Sequence, residues 1–185
     1  MLTLQEAQNV LDSAEEIIPA NEVNDAVHRI AADIRVALAD KHPLILSVMG
    51  GAVVFTGQLL PLLDFPLDFD TIHVTRYGNQ TKGRELIWKV KPRENVSGRV
   101  VLLLDDILDE GHTLAATRDM VMALGASYVY CAVFADKDLG RAKPITADFV
   151  GLSVPNQFVF GFGMDVQGAW RNLPAIYVFK GELKA

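Results

Sequence analysis

Asp105, Asp106 and Asp109 set three carboxylates within five residues, and Glu110, Gly111, His112 and Thr113 follow at once. Ahead of them runs Val100-Val101-Leu102-Leu103-Leu104, an apolar stretch of the kind that forms a strand buried on both faces of a parallel sheet. Ligands of such sheets gather outside the carboxyl ends of the strands, which is where this spacing puts Asp105 and Asp106. Carboxylates this close repel one another, and a cation, a sugar or water relieves them. Gly111 and the helical pattern after it offer backbone N–H groups and a positive dipole end to a phosphate, while the acids can hold ribose hydroxyls or a magnesium ion. The chemistry open to this segment is that of a phosphorylated sugar. Residue types alone also allow a plainer reading, in which the acids end a strand, Gly111 makes a turn and Asp109 or Glu110 favours the helix start.

The elements that must position these groups follow from periodicity. Leu4, Ala7, Leu11, Ala14 and Ile18 have helical spacing, which predicts a helix over about 3–18 stopped by Pro19. A second helix is expected from a cap at Asn21, with Val23, Ala26, Val27, Ile30, Ala31, Ile34 and Leu38 as its apolar stripe. Residues 43–49 read as a buried strand, Gly50-Gly51 as a turn and potential anion nest, and Ala52 to Leu60 as a helix. Strands at 69–77 and 85–90 flank a polar link, Arg76 to Arg84, suited to a hairpin tip or a lid. After the strand at 99–104, a helix from Leu114 to Leu124 ends near Gly125, and a strand spans 128–135. Strand and helix alternate without internal repeat, which predicts an α/β fold with an open, mostly parallel sheet and right-handed crossovers. Beyond 136, short apolar runs at 148–154, 157–160 and 176–179, broken by Pro and Gly, read as a loop-rich flap over the sheet.

The chain of 185 residues falls in the single-domain range, with 50% hydrophobic and 22% charged residues, so neither a disordered nor a low-complexity class fits. A net charge of −6 argues against a mainly electrostatic nucleic-acid binder, and a bound anion must be held by local groups. The single cysteine, Cys131, excludes an intrachain disulfide and reads as an inert core thiol. The first residues lack a signal-peptide pattern and no stretch approaches the roughly 20 apolar residues of a membrane span, so the cytoplasm is the default expectation.

The run Leu104 to Thr113 closely resembles the phosphoribosyl-diphosphate signature of type I phosphoribosyltransferases. Asp148 to Gly151, Pro155 to Gly161, Asp165 and Trp170 to Leu173 are similar to the purine-binding hood of the hypoxanthine-guanine branch. With Val48 to Gly51 and Arg76-Tyr77, the resemblance spans about residues 44–173. It implies a type I phosphoribosyltransferase-like sheet flanked by helices, with a core of about 20–140 and a small hood from about 141–185 joined by the N-terminal segment, all in one domain.

It also implies purine salvage: transfer of the 5-phosphoribosyl group from phosphoribosyl diphosphate to hypoxanthine or guanine, with release of diphosphate and a need for Mg2+. In that pattern Asp105 and Asp106 bind the ribose hydroxyls, the backbone of Asp109, Glu110, Gly111, His112 and Thr113 cradles the 5-phosphate with the Thr113 hydroxyl, and Asp109 is the general base near purine N7. Met49, Gly50 and Gly51 match the diphosphate loop, where a cis peptide is frequent, and Arg171 meets the diphosphate oxygens. Arg76 and Tyr77 begin the lid. Lys137 donates to the 6-oxo group, Phe158 stacks on the ring and the Val159 backbone reads its edge; Asp165 counts with them among the purine-binding residues and also helps hold the metal, with Asp105 and Asp106 as further candidate ligands. A homodimer or homotetramer is usual in the family.

The chain departs from that pattern at three places: Glu110 stands where Thr or Ser is usual, and His112 and Met49 stand where Lys is frequent. An acid at 110 should weaken anion binding unless its side chain points away, and His112 compensates only when protonated. Other readings of the same residues are a xanthine-preferring enzyme, a nucleotide-sensing regulator that binds RNA or a repressor partner, and a receiver domain. The last is disfavoured because its acidic pocket draws on several strand ends, whereas all three acids here follow one strand.

Overall fold

The computed structural model describes residues 2–77 and 85–181. Five strands, β2 (Leu44–Val48), β3 (Asp68–Tyr77), β5 (Val100–Leu108), β6 (Tyr128–Lys137) and β7 (Phe149–Val154), form a parallel ladder. β4 (Glu85–Val90) adds antiparallel to β3, giving the order β4-β3-β2-β5-β6-β7. The fold class expected from alternation is therefore observed. β2 and β5 are the two central strands: every residue of β2 is buried, as its apolar run requires of a strand covered on both faces.

One face is covered by α2 (Ala20–Leu38) and α3 (Val53–Leu59), the other by α4 (His112–Ala123). The α2 stripe Val23, Ala26, Val27, Ile30, Ala31, Ile34 and Leu38 is wholly buried, and it packs with Leu102, Leu104 and Phe134 of the sheet. On the opposite face Leu114 and Val121 of α4 join Leu103, Val133 and Ile145. Burying a full Leu, Ile or Phe side chain contributes roughly 1.5–3 kcal/mol, so these two layers fix the sheet on which the acidic strand sits. The helix cap is Pro19, not Asn21, which lies inside α2.

Two sequence expectations are corrected. The first helix, α1 (Leu4–Asp12), stops at Asp12, and Ala14–Ile18 forms β1, antiparallel to β9 (Ile176–Phe179). The helical spacing of Ala14 and Ile18 is overridden by pairing with a strand some 160 residues later in the chain, a partner no local pattern reveals. The run 148–154, read as flap, is instead β7, the edge strand of the main sheet. The covering layer is β1-β9-β8, with β8 at Val159–Phe160, packed against α1. Trp170 pins it by donating its indole N–H to the Ala7 carbonyl at 2.7 Å. Among the described residues, no helix is long and apolar enough to cross a membrane.

Cys131 is buried and its thiol is pushed up to about 12 by burial, with Asp148 adding repulsion, so it stays protonated as a core residue. Asp70 is the most demanding polar group away from the acidic strand: 1% exposed, it accepts from the backbone N–H of Arg93 (2.6 Å) and Thr71 (2.7 Å) and from the Arg93 guanidinium (3.0 Å). Burial alone would raise its carboxyl, but these donors outweigh burial and hold it below the ordinary 3.8. Its contribution to stability is full above the ordinary value and is lost as pH falls through the lowered folded one. Asp70→Asn leaves N–H donors facing an amide, so it should lose about 1–3 kcal/mol at neutral pH, seen as a lower midpoint in urea. An unchanged midpoint would contradict this.

Candidate active site

β5 runs on to Leu108, so Asp105 and Asp106 lie within the ladder and not at its end. The register Asp105↔Val133, Ile107↔Ala135 and Leu108↔Asp136 shows why: β6 runs at least as far and continues the pairing. The two acids are thereby half-buried among apolar strands. Burial raises both carboxyls, that of Asp105 well above its ordinary range, and for Asp105 the neighbouring Asp106 charge adds to the shift. A proximate cation or a diol that donates hydrogen bonds would relieve them.

Three other segments close on this pair. After β2 the chain turns through a cis Met49–Gly50 peptide into Gly51. A Cβ on Gly51 would lie 1.8 Å from Asp106 Oδ2, so only glycine lets the loop meet the carboxylate. A Cβ on Gly163 would lie 2.1 Å from the Gly51 carbonyl oxygen, and Gly163 has φ +102, so glycine there serves both the close approach and the backbone turn. The Gly163 carbonyl accepts from Arg171 Nη1 at 2.6 Å, and Arg171 Nη2 pairs with Asp165 at 2.5 Å. Asp165 also accepts from the Gly168 N–H at 2.6 Å. Arg171 is near enough to offset part of the upward shift of Asp106. Gly163 had no mark in the sequence beyond being one of several glycines in the flap.

Beyond Leu108, a cavity of about 230 Å3 is lined by Asp105, Asp109, Glu110, Gly111 and Thr113 among others. α4 starts after Gly111, whose φ of +84 and lack of a side chain make a cap that contributes no side-chain acceptor to the helix start. The plainer reading, in which Asp109 or Glu110 caps the helix, is not what the structure shows. Asp109 points instead across the sheet's rim, where its Oδ2 pairs with Lys137 Nζ at 2.9 Å from the end of β6. Glu110 is turned to Arg141, at 3.3 Å. The acid that departs from the family pattern is thus matched by a cation on the loop after β6. His112 is exposed at the first turn of α4.

Val159 is buried in β8, while Phe158 stands 41% exposed beside it and meets no other aromatic ring among the described residues. Arg76 and Tyr77 are the last residues of β3, and the polar link after them, residues 78–84, lies outside the described residues. Asp148 belongs with the far end of the sheet: it accepts from the Cys131 N–H near the start of β6. Lys143 and Arg141 are the groups that sequence reasoning missed, since a charge in a loop carries no sign of what it will touch.

Among the described residues no three His, Cys, Asp or Glu side chains cluster as a metal cage. Magnesium is commonly held by one or two carboxylates together with substrate oxygens. The adjacent, half-buried Asp105 and Asp106 fit such an ion.

An open, mostly parallel sheet whose central strand carries an acidic pair, followed by a helix that starts at a glycine and accompanied by a small second sheet, is the arrangement of the type I phosphoribosyltransferase class. The comparisons agree: residues 13–167 match the phosphoribosyl transferase domain family, and the chain belongs to that family. The hypoxanthine-guanine phosphoribosyltransferase of Streptococcus pneumoniae strain R6 is 32% identical over 173 residues, covering 93% of this chain and 96% of that protein. That of Bacillus subtilis strain 168 is 34% identical over 170 residues, with 91% and 94% covered. The chain also spans 27% of the length of the bifunctional protein TilS/HprT of Listeria innocua, at 34% identity over 93% of this chain. Among solved structures, a hypoxanthine-guanine phosphoribosyltransferase from Bacillus anthracis superposes with a TM-score of 0.82 at 26% identity, covering 89% of this chain and 97% of that one.

Burial of the acid pair has a consequence for stability. The folded state keeps its proton to a higher pH than the unfolded chain, so stability falls as pH rises from the ordinary 3.8 through the raised folded value. Asp105→Asn should therefore raise Tm at pH 7 by about 2 °C or more, with the gain fading toward pH 4. A lower Tm for the variant at pH 7 would show that the pair stabilises the fold.

Proposed function

We propose that the protein transfers the phosphoribosyl group of phosphoribosyl diphosphate to a 6-oxopurine, hypoxanthine or guanine, yielding the nucleoside monophosphate and diphosphate. The observation that carries this reading is the meeting of the raised Asp105-Asp106 pair, inside the last paired stretch of β5, with Gly51 on one side and the Gly111 start of α4 on the other. The relatives from Streptococcus pneumoniae, Bacillus subtilis and Bacillus anthracis are named hypoxanthine-guanine phosphoribosyltransferases, and the alternatives of a regulator or a receiver domain draw no support from the geometry.

In this reading Asp105 and Asp106 accept hydrogen bonds from the ribose 2- and 3-hydroxyls, which need acceptors and offer protons to a pair short of them. The 5-phosphate sits at the start of α4, where backbone N–H groups and the helix dipole favour an anion. The Gly50-Gly51 backbone and Arg171 face the diphosphate, with Asp165 holding Arg171 in place. Magnesium, held through Asp105 or Asp106 with Asp165 at the diphosphate side, would neutralise charge on the leaving group. The hood excludes water from the anomeric carbon, and Arg76 and Tyr77 stand at the start of the lid in this reading.

A 6-oxopurine carries O6 and N7 on one edge. Lys137 Nζ and Asp109 Oδ2, 2.9 Å apart, present a donor and an acceptor side by side to that edge. Lys137 donates to O6, and Asp109 holds the N7 proton as N9 forms its bond to the anomeric carbon and the diphosphate bond breaks. Adenine would set its amino donor against Lys137 and leave both unpaired, which disfavours it. Phe158 supplies a ring face and the Val159 backbone a polar edge for the base.

A spectrophotometric assay with adenine, hypoxanthine, guanine and xanthine should give nucleotide from the 6-oxopurines only, and only with phosphoribosyl diphosphate and Mg2+. Formation from none of them would reject the reading. Asp109→Ala should lower kcat by about 10²–10⁴-fold while the Kd for phosphoribosyl diphosphate moves little, since the group serves the transition state. Equal turnover would remove Asp109 from the mechanism. Arg141→Ala frees Glu110 beside the 5-phosphate and should raise the KM for phosphoribosyl diphosphate about two- to fivefold, the worth of an exposed pair. Glu110→Thr added to that variant should restore it; a double variant as weak as the single one would contradict this.

A further inference from the structure

Lys143 lies on the loop between β6 and β7 and has no part in the mechanism above. Its side chain is only 10% exposed, and its ammonium donates to three acceptors: the Leu108 carbonyl at 2.7 Å, the Lys137 carbonyl at 2.5 Å and Asp136 Oδ1 at 2.5 Å. An ammonium has three N–H donors, so all are committed within the protein and none remains for a substrate. Leu108 is the residue before Asp109, and Lys137 is the partner of Asp109. The parallel ladder between β5 and β6 has its last registered pair at Leu108↔Asp136, one step short of the two functional side chains. Past that point β6 is still held by β7, through Lys137↔Val154, but the ladder no longer ties β5 to β6.

We infer that Lys143 is the positioning residue that takes over where the ladder ends, joining the tips of β5 and β6 so that Asp109 and Lys137 stay at the spacing of one purine edge. The inference rests on the function proposed above. The geometry distinguishes it from an ordinary buried ion pair: two of the three contacts are to main-chain carbonyls on neighbouring strands, which an Asp136–Lys143 charge pair alone does not require. Asp136 offsets the ammonium that Lys143 brings close to the positive Lys137. A cavity of about 350 Å3, lined by Leu108, Asp136, Lys137, Arg141, Lys143 and Ser153 among others, leaves room for a larger side chain at 143.

Lys143→Arg exploits that room. It keeps the charge, but a planar guanidinium cannot direct three N–H groups to the same three acceptors as an ammonium does. The variant should keep a Tm within a few degrees of wild type by about the worth of one retained ion pair. Its KM for hypoxanthine and guanine should rise about tenfold, the equivalent of one lost hydrogen bond to a charged group, and its preference for 6-oxopurines over adenine should fall. The KM for phosphoribosyl diphosphate should stay within about twofold, because the sugar and phosphate contacts lie on the other side of Asp109. Lys143→Met should show the same split together with a lower Tm, since it leaves two buried carbonyls without a donor. A purely structural role would lower Tm without separating the two KM values. Wild-type kinetics in Lys143→Arg, or equal loss toward both substrates in both variants, would overturn the inference alone; an inactive wild-type chain would overturn the proposed function and this inference with it.

Discussion

The molecule is organised around two adjacent carboxylates held half-buried inside a parallel ladder. A strand that enters the sheet as five apolar residues continues through Asp105 and Asp106 to Leu108, so the same pairing that makes the core also removes these acids from water. Their ionisation opposes folding, and nothing in the fold itself cancels that opposition fully. The apolar layers of α2, α3 and α4 supply the surplus that lets the fold tolerate it. Regions of this kind, where local stability is given up for a binding task, mark functional sites.

The groups surrounding the pair act by approach and by charge. Gly51 and Gly163 let two loop backbones meet each other and the Asp106 carboxylate where a side chain would collide, and Arg171 is tied to that junction through the Gly163 carbonyl. In a chain of net charge −6, four cations near the rim are paired among the described residues: Arg171 with Asp165, Lys137 with Asp109, Arg141 with Glu110 and Lys143 with Asp136. Such pairing keeps the acids of the rim from repelling an incoming anion as strongly as their number suggests. The loop after β6 carries two of these cations and, through Pro144 and Ile145, also packs against Gly111. Separate residues of that loop meet separate parts of the cleft: Arg141, Pro144 and Ile145 lie by the start of α4, and Lys143 joins the tips of β5 and β6.

Much of this was legible from local pattern. The α2 stripe, the Gly50-Gly51 turn, β2, β3, β4 and the acidic strand all follow from periodicity and turn chemistry that the residues carry themselves. β1 was not, because Ala14 and Ile18 continue the spacing of Leu4, Ala7 and Leu11, and only the presence of β9 selects a strand. β7 was mistaken for flap since its runs are short and bounded by Pro and Gly, while its place in the sheet comes from Ala132 and Val133 of β6. The extension of β5 through its acids required β6 to run at least as far. Site residues with fixed chemistry, such as Asp109 and Lys137, could be nominated in advance; Gly163, Arg141 and Lys143 acquire their meaning only from long-range contacts.

The central claim is that the Asp105-Asp106 pair receives the ribose of an activated sugar phosphate. Calorimetric titration of phosphoribosyl diphosphate with Mg2+ into wild type and into the Asp105→Asn, Asp106→Asn double variant tests it without reference to catalysis. The account predicts saturable heat for wild type and a loss of affinity of about tenfold or more in the double variant, which keeps its fold. No heat with wild type, or equal affinity in the two proteins, would contradict it.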